Sequence, residues 1–209
     1  MGRARYCRCV LEPVEFPPDA AAVLSRCRRA GVVLDFVLLR GIDGQDEEHA
    51  HRVAAVVGVA QAAVRRDAAW AVECGSVDPE TLVGRRLSLA EFYGPRSDPA
   101  TGALRAEQPV GWRPHFVDGR GFVDALLDPP YGLHPSRDGH FSGALDTGAL
   151  LRDVVSAVLC APGADTPIWH WNGDWCRYFD AGRDWWGASA WTIRTGGTDI
   201  VTIAASTTD

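Results

Sequence analysis

Two spacings of apolar residues alternate along the first part of the chain. Residues 5–11 switch between polar and apolar side chains, which predicts a half-buried strand, and residues 32–39 form a continuous apolar run that is typical of an interior strand. Between them, Pro17 and Pro18 precede apolar residues at helical spacing, and Gly31 is the residue type expected just after a helix end. The apolar stripe of this predicted helix consists of Ala20, Val23, Leu24 and Cys27.

A second helix is predicted over residues 46–65, where apolar residues recur every three or four positions. The residues predicted to face the core are Val53, Val56, Val57, Ala60 and Val64. Residues 69–74 then predict a third strand, so this half of the chain reads strand, helix, strand, helix, strand. That order is expected when helices cover a sheet.

The second half of the chain predicts two helices and a strand before its C-terminal region. A short apolar helix is predicted over Phe122–Leu127, and an amphipathic helix over Thr147–Cys160. A strand is predicted over Pro167–Trp171, where β-branched and aromatic residues dominate.

The C-terminal residues predict a β-hairpin. Two β-rich runs, residues 191–195 and 199–203, are separated by Gly196 and Gly197, which accept the positive φ angles of a tight turn. Together with the earlier elements, this hairpin predicts a single α+β domain over residues 1–209. We expect a mixed β-sheet with helices packed on it.

Residues 94–121 form a long connection that contains four Pro and five Gly. Compact domains seldom carry so long a segment without secondary structure, so this composition is typical of a lid, a partner-binding loop or a disordered excursion. We predict that Trp112 and His115, which lie within it, contribute to binding.

The charged residues exclude several classes of function. All 21 basic residues are Arg, and enzymes that form Schiff bases, use pyridoxal phosphate or carry a Walker-type phosphate loop need a lysine amine. The net charge is −6, and Asp outnumbers Arg eight to four from His140 to the C-terminus. Because such a surface repels polyanions, we predict no nucleic-acid partner and instead a basic protein partner or a small molecule.

The cysteine pattern and the absence of long apolar runs bear on location and metal binding. The six Cys, at positions 7, 9, 27, 74, 160 and 176, lack the paired C-x-x-C spacing of a zinc site. The sequence shows no signal-peptide run and no membrane-spanning stretch, so we predict a cytoplasmic protein without a membrane partner. In a reducing compartment all six Cys are expected to be thiols. We predict neither a metal nor a cofactor, and the sequence does not set an oligomeric state.

Six of the eight Trp lie between Trp169 and Trp191. Left exposed, they would form on the order of 900–1,500 Å² of aromatic surface, against ~300–600 Å² for the largest apolar patch of a typical soluble monomer. Most of these rings must therefore be core. We predict burial of Trp169, Trp171, Trp191 and one of Trp185 and Trp186.

One or two of the aromatic rings remain available to line a pocket or a partner surface. Residues 175–181 predict one or two helical turns that begin after Asp174, a good N-cap residue. Such turns place Trp175 and Phe179 on one face, with Tyr178 beside them. We predict that Trp175 and Tyr178 contribute to binding.

Asp174, Asp180 and Asp184 are candidate catalytic residues. Two carboxylates about 5–10 Å apart beside aromatic rings are what a glycosidase requires, because one protonates the leaving oxygen and the other acts as nucleophile or base. The competing interpretation is that these residues cap backbone N–H groups and pair with Arg177 and Arg183. A cavity shared by two of the carboxylates would distinguish the enzyme from the capped turn.

Residues 128–131, Asp-Pro-Pro-Tyr, resemble an element of amino-group methyltransferases. In that element the acid and a proline carbonyl hold the target amine while the aromatic ring stacks on a flipped base. Residues 39–44 lack the close-approach glycine pattern that accompanies it, and a proline helix stop after Leu127 accounts for the same residues. Methyl transfer is therefore a remote alternative.

Residues 171–187 carry the pattern W-x-x-D-W-x-x-Y-F-x-x-G-x-x-W-W-G. Followed by a strand pair that ends in Ala-Ser-Thr-Thr-Asp, this pattern is similar to the C-terminal segment of a family of small uncharacterised bacterial proteins. The family has no assigned activity, so the resemblance implies no catalytic role. We therefore predict a non-catalytic binding protein of the immunity or regulatory kind, and as the alternative a small hydrolase-like enzyme with Asp carboxylates in an aromatic cleft.

Overall fold

The structure is a computed structural model that describes residues 11–41, 46–98, 104, 121–128, 133, 146–183 and 188–206. Its six strands are β1 Glu12–Val14, β2 Leu34–Arg40, β3 Gly84–Arg86, β4 Ile168–Asn172, β5 Ser189–Gly196 and β6 Asp199–Ala205. Its α-helices are α1 Pro18–Arg29, α2 Glu47–Val64, α3 Ala68–Gly75, α4 Leu89–Tyr93, α5 Phe122–Leu127, α6 Thr147–Asp153 and α7 Asp180–Arg183. Short 3-10 turns form at Pro79–Thr81 and Arg177–Phe179, and α6 continues into a π-helical turn at Val154–Val158.

The strands form one sheet in the order β1-β2-β6-β5-β4-β3. The predicted α+β class is confirmed, and so is the C-terminal hairpin, in which Trp191 lies opposite Ile203 and Gly196 opposite Asp199. Every pair of neighbouring strands that the structure describes is antiparallel, so the parallel pairing of a mixed sheet is not found among them. The predicted strand at residues 5–11 lies outside the described residues except for Leu11.

Helix α1 forms as its sequence predicts. Its predicted apolar stripe is buried, and its last turn closes through two backbone hydrogen bonds. The Gly31 N–H donates to the Arg28 carbonyl at 3.2 Å, and the Val32 N–H donates to the Cys27 carbonyl at 3.0 Å. Gly31 adopts a φ of +84°, which is why glycine suits the position after the helix end.

Helix α2 buries a different face from the predicted one. The valine stripe is only partly buried, and Val64 is 54% exposed. The buried residues of this helix are Ala50, His51, Ala54, Ala55, Val56, Gly58, Val59, Ala62 and Ala63. A Cβ atom on Gly58 would lie 2.4 Å from the Thr202 side chain, so α2 packs closer to the sheet than larger side chains would allow.

Residues 69–74 form a helix rather than the predicted third strand. The Asp67 side chain accepts a hydrogen bond from the Ala69 N–H at 2.7 Å and so caps the first turn of α3. Since this segment is not a strand, the strand–helix–strand repeat that implied parallel pairing breaks here. The helix predicted for residues 147–160 is confirmed as α6 and its π-helical turn.

Helices cover both faces of the sheet. On one side, which we call the α1 face, a core cluster joins α1, α4, α5 and α6 to alternate strand residues such as Phe36, Trp191 and Ile203. On the other side, the α2 face, a second cluster joins α2 and α3 to the strand residues between them, such as Leu39 and Trp171. In the part of the chain that is described, no helix is both long and apolar enough to cross a membrane.

Candidate functional site

The candidate site is the segment that follows β4, residues 173–183, which we call the Trp/Asp segment. Asn172 ends β4 at the same end of the sheet at which Leu34 begins β2, because the register runs from Asn172 through Ser189 and Ala205 to Leu34. The segment crosses this end of the sheet on the α2 face, where Tyr178 and Phe179 join the core cluster. Helical turns form within the predicted residues 175–181, as the 3-10 turn and the beginning of α7, but they begin at Arg177 after Cys176, so the predicted N-cap role of Asp174 is wrong.

A disulfide ties the Trp/Asp segment to helix α3. Cys74 and Cys176 are bonded, with Cα atoms 5.2 Å apart, and both are buried. The prediction that all six Cys are thiols is therefore wrong, because the fold brings two Cys together that the sequence separates by 102 positions. Cys27 and Cys160 are free thiols. Disulfides are more typical of oxidising compartments, so the predicted cytoplasmic location stays a prediction.

Tyr178, in the middle of the segment, is fully buried. Its hydroxyl donates to Asp35 Oδ2 at 2.7 Å, and the Arg66 guanidinium lies 4.6 Å from the centre of its ring. Burial first, and then the nearby Asp35 charge, raise the pKa of Tyr178 well above its usual value. The predicted binding residue Tyr178 thus lies in the core, where a partner cannot reach it.

The indoles divide between core and surface. Trp171 and Trp191 are buried as predicted, whereas Trp169 is partly buried and stacks on Trp171 with ring centroids 5.6 Å apart. Trp175 is also partly buried: its Nε1–H donates to the Asn172 carbonyl at 2.7 Å, and its ring packs on Phe179 as the helical spacing predicts. The Trp175 ring is therefore held in place by these contacts, and part of it remains accessible to solvent.

Asp174 and Asp180 lie at the surface, with side chains 75% and 55% exposed. One guanidinium lies between them: Arg183 Nε is 3.7 Å from Asp174 Oδ1, and Arg183 Nη2 is 3.3 Å from Asp180 Oδ1. The same guanidinium donates to the Gly173 carbonyl at 3.1 and 3.2 Å. The pairing with Arg183 that the sequence suggested is present, and it fixes two exposed carboxylates on one short segment.

A buried histidine lies between α2 and the sheet on the α2 face. His51 is completely buried, and its Nδ1 is 2.8 Å from the Thr192 hydroxyl, which also accepts a hydrogen bond from Trp171 Nε1. Burial first, and then the charges of Arg194 and Arg86, lower the pKa of His51 to about 3. His51 is therefore neutral at physiological pH.

Several predicted site residues lie outside the described residues. They are Asp184, Trp112, His115, Trp185, Trp186, Pro129, Pro130 and Tyr131. Asp128 is described and caps the end of α5. Within the residues that the structure describes, no group of three His, Cys, Asp or Glu side chains could hold a metal ion.

The chain was compared with protein-family models, with curated proteins and with solved structures, and none of the three comparisons gave a match.

Proposed function

We propose that this protein is a non-catalytic binding protein of the immunity or regulatory kind, and that the Trp/Asp segment contacts a basic protein partner. The observation that carries the proposal is the pair of exposed carboxylates, Asp174 and Asp180, fixed by the single guanidinium of Arg183. Exposed charges that are already ordered lose little conformational entropy on binding, and they attract a partner of opposite sign.

The surroundings of the two carboxylates support contact with a protein rather than with a small ion. Trp175, next to Asp174 in the chain, offers a partly buried ring. The disulfide joins the same segment to helix α3, on which Val72 is 74% exposed. Fixed aromatic rings and apolar side chains bordered by charge are typical of protein interfaces. The surplus of acidic residues in this half of the chain favours a basic partner over a nucleic acid.

The proposal is tested by comparing captured proteins between variants. Wild-type protein and the double variant Asp174→Asn/Asp180→Asn are immobilised and exposed to a bacterial lysate at low and high salt. The expected result is that basic proteins bound by the wild type are lost from the double variant, and that their capture falls as salt rises. Asp146→Asn/Asp165→Asn, which removes the same charge elsewhere, serves as the matched control. Equal capture by all three proteins would overturn the proposal.

A hydrolase-like enzyme is the second candidate, and the shared guanidinium is the observation that favours it. Because Asp174 and Asp180 both approach Arg183, their carboxylates lie close enough to flank one bond of a substrate. Their exposure argues against this role, because a glycosidase acid is normally kept protonated by burial. The enzyme is tested with chromogenic glycosides: Asp174→Asn, Asp180→Asn and Asp184→Asn should each lower turnover, and no hydrolysis by the wild type would remove this candidate.

A further inference from the structure

A cavity of about 530 Å³ opens at the β1 edge of the sheet. This volume falls within the range of about 300–1,000 Å³ that is typical of small-molecule sites. Residues of β1, β2, α1 and α2 all contribute to its wall, so helices from both faces of the sheet meet there.

The cavity exists because β1 is too short to cover its neighbour. β1 pairs only with Leu38–Arg40, so among the described residues no strand covers that side of the preceding half of β2, which includes Phe36 and Val37. The chain leaves β1 at Glu15 and enters α1 through Pro17 and Pro18, which cannot donate to a ladder. The sequence therefore ends β1 early and leaves a gap between the two helices.

The floor of the cavity is apolar. Leu24, Phe36 and Leu38 are each 7% exposed and form part of the α1-face core, and Val14 and Phe16 pack against the same core. A floor of this kind gains free energy when an apolar group displaces water from it. The alkyl or aryl part of a ligand would be held here.

The rim of the cavity carries a surplus of positive charge, although the chain as a whole is acidic. Arg28 and Arg65 line the cavity together with one acid, Glu15. The Arg28 guanidinium forms no ion pair or hydrogen bond with any residue that the structure describes. Arg65 uses Nη2 to donate to Asp35 Oδ1 at 2.7 Å, which leaves its remaining N–H groups for another acceptor.

We propose that this cavity binds a small amphipathic monoanion, with its carboxylate between Arg28 and Arg65 and its apolar part on Phe36 and Leu24. Asp35 pairs with both Arg65 and Arg66, at 2.7 and 3.5 Å, so the guanidinium groups of Arg28, Arg65 and Arg66 face the two carboxylates of Glu15 and Asp35 and leave a single positive charge to be balanced. Guanidinium pairs carboxylate through charge-assisted hydrogen bonds. No residue of the Trp/Asp segment lines this cavity, although Tyr178 and Arg65 share Asp35, and the proposal does not depend on the function proposed for that segment.

Octanoate is the probe for this site, and octanol is its uncharged counterpart. Each is titrated into isotope-labelled protein while the backbone amide signals of Val14, Phe36 and Val37 are followed by NMR. We expect octanoate to shift these signals and octanol to bind about tenfold more weakly, because it lacks the charge-assisted hydrogen bonds. Equal binding of the two probes, or shifts elsewhere in the protein only, would overturn the proposal.

Variants assign the binding to the named side chains. Arg28→Gln and Arg65→Gln should each weaken octanoate binding about tenfold and leave octanol binding unchanged. Arg29→Gln, adjacent on α1 but outside the cavity wall, is the matched control. Ala21→Phe, at an exposed position of the wall, should fill the cavity and abolish binding of both probes.

Each variant is checked for folding by its unfolding midpoint. If Arg65→Gln proves unstable because Asp35 loses one of its partners, Arg28→Gln decides, since Arg28 has no partner to lose among the described residues. An equal loss in Arg28→Gln and Arg29→Gln would show a general charge effect and would refute the assignment. Unchanged capture of basic proteins by the Arg28 variant would show that the two sites are independent.

Discussion

The helices on the two faces of the sheet pack against it with side chains of different size. The α1 face is filled by large side chains: the rings of Phe92 and Phe122 stack with centroids 4.9 Å apart, and Phe36 packs edge-on against Phe122 at 6.4 Å. On the α2 face, helix α2 itself contributes mainly Ala and Gly, while the rings of Trp171, Tyr178 and Phe179 come from the sheet and the Trp/Asp segment. This face also holds buried polar groups, among them His51 and Thr192, and it carries the disulfide.

Where α2 meets the sheet, close packing and hydrogen bonding therefore replace side-chain volume. Small residues let α2 approach the sheet until the Thr202 hydroxyl donates to the Ala54 carbonyl at 2.7 Å. At such short range each buried polar atom needs a partner, because an unpaired one costs about 1–3 kcal/mol. The α2 face should therefore tolerate small changes less well than its modest side chains suggest.

The largest expected effect comes from removing the disulfide. A cross-link that closes a loop of about 100 residues contributes about 4.7 kcal/mol in the chain-entropy account, and Cys74 and Cys176 are 102 positions apart. We expect the free energy of unfolding of Cys74→Ala/Cys176→Ala, measured by urea titration, to be lower than that of the wild type by about this amount. Adding a reductant to the wild type should have the same effect.

Cys160→Ala, which removes an exposed free thiol, is the control for the disulfide and should leave the unfolding midpoint unchanged. A wild-type midpoint that does not respond to reductant would show that the α2 face does not depend on the cross-link.

The next effect tests the close approach of α2. In an exposed helix, Gly→Ala stabilises by about 1 kcal/mol, but at Gly58 the added Cβ would meet the Thr202 side chain at 2.4 Å. We expect Gly58→Ala to destabilise by about 1–3 kcal/mol in urea unfolding, because overpacking displaces the helix. A stabilised Gly58→Ala variant would show that the two layers have room to spare.

Gly75→Ala in α3 is the matched control, since its Cβ would meet Ala60 at an ordinary 3.5 Å. This substitution should be neutral or stabilising.

The smallest effect is a pH dependence that originates at His51. Its pKa is about 3 in the folded protein and 6.5 in its ordinary state, so below pH 6.5 the unfolded chain binds a proton that the folded chain does not. The stabilisation by neutral His51 is therefore fully present above pH 6.5. As the pH falls below 6.5, the free energy of unfolding decreases by up to about 1.4 kcal/mol per pH unit.

His51→Gln should flatten the stability profile between pH 6.5 and 5, measured by urea unfolding at each pH. His49→Gln, which removes a partly exposed histidine from the same helix, is the control for the loss of a histidine that is not buried. If the free energy of unfolding depends on pH in the same way in the wild type and in both variants, buried neutral His51 does not contribute to the stability of the α2 face.

Sequence patterns predicted the α1 face better than the α2 face, for a physical reason. Helix α1 has one stripe of residues that are clearly more apolar than their neighbours, and burial follows that stripe. In α2 both sides are apolar, so hydrophobicity favoured the valines, whereas the space beside Thr202 admits only small residues. In residues 69–74 strand and helix patterns compete, and the capping aspartate Asp67 was the signal for a helix.

The candidate site was only partly visible in the sequence. Arg183 was correctly identified as a neighbour of the carboxylates because it lies three and nine positions from Asp180 and Asp174. The bond between Cys74 and Cys176 depends on contacts far apart along the chain, and so does the burial of Tyr178 against Asp35. The edge cavity depends on where β1 stops pairing, which periodicity does not determine.

The Cys74–Cys176 bond also sets how the molecule responds to a protease. The bond encloses the middle of the chain, including residues 94–121, within one covalent ring. A single cut between the two cysteines opens this ring without releasing either piece. The nicked protein would run as two bands on a reducing gel and as one under oxidising conditions.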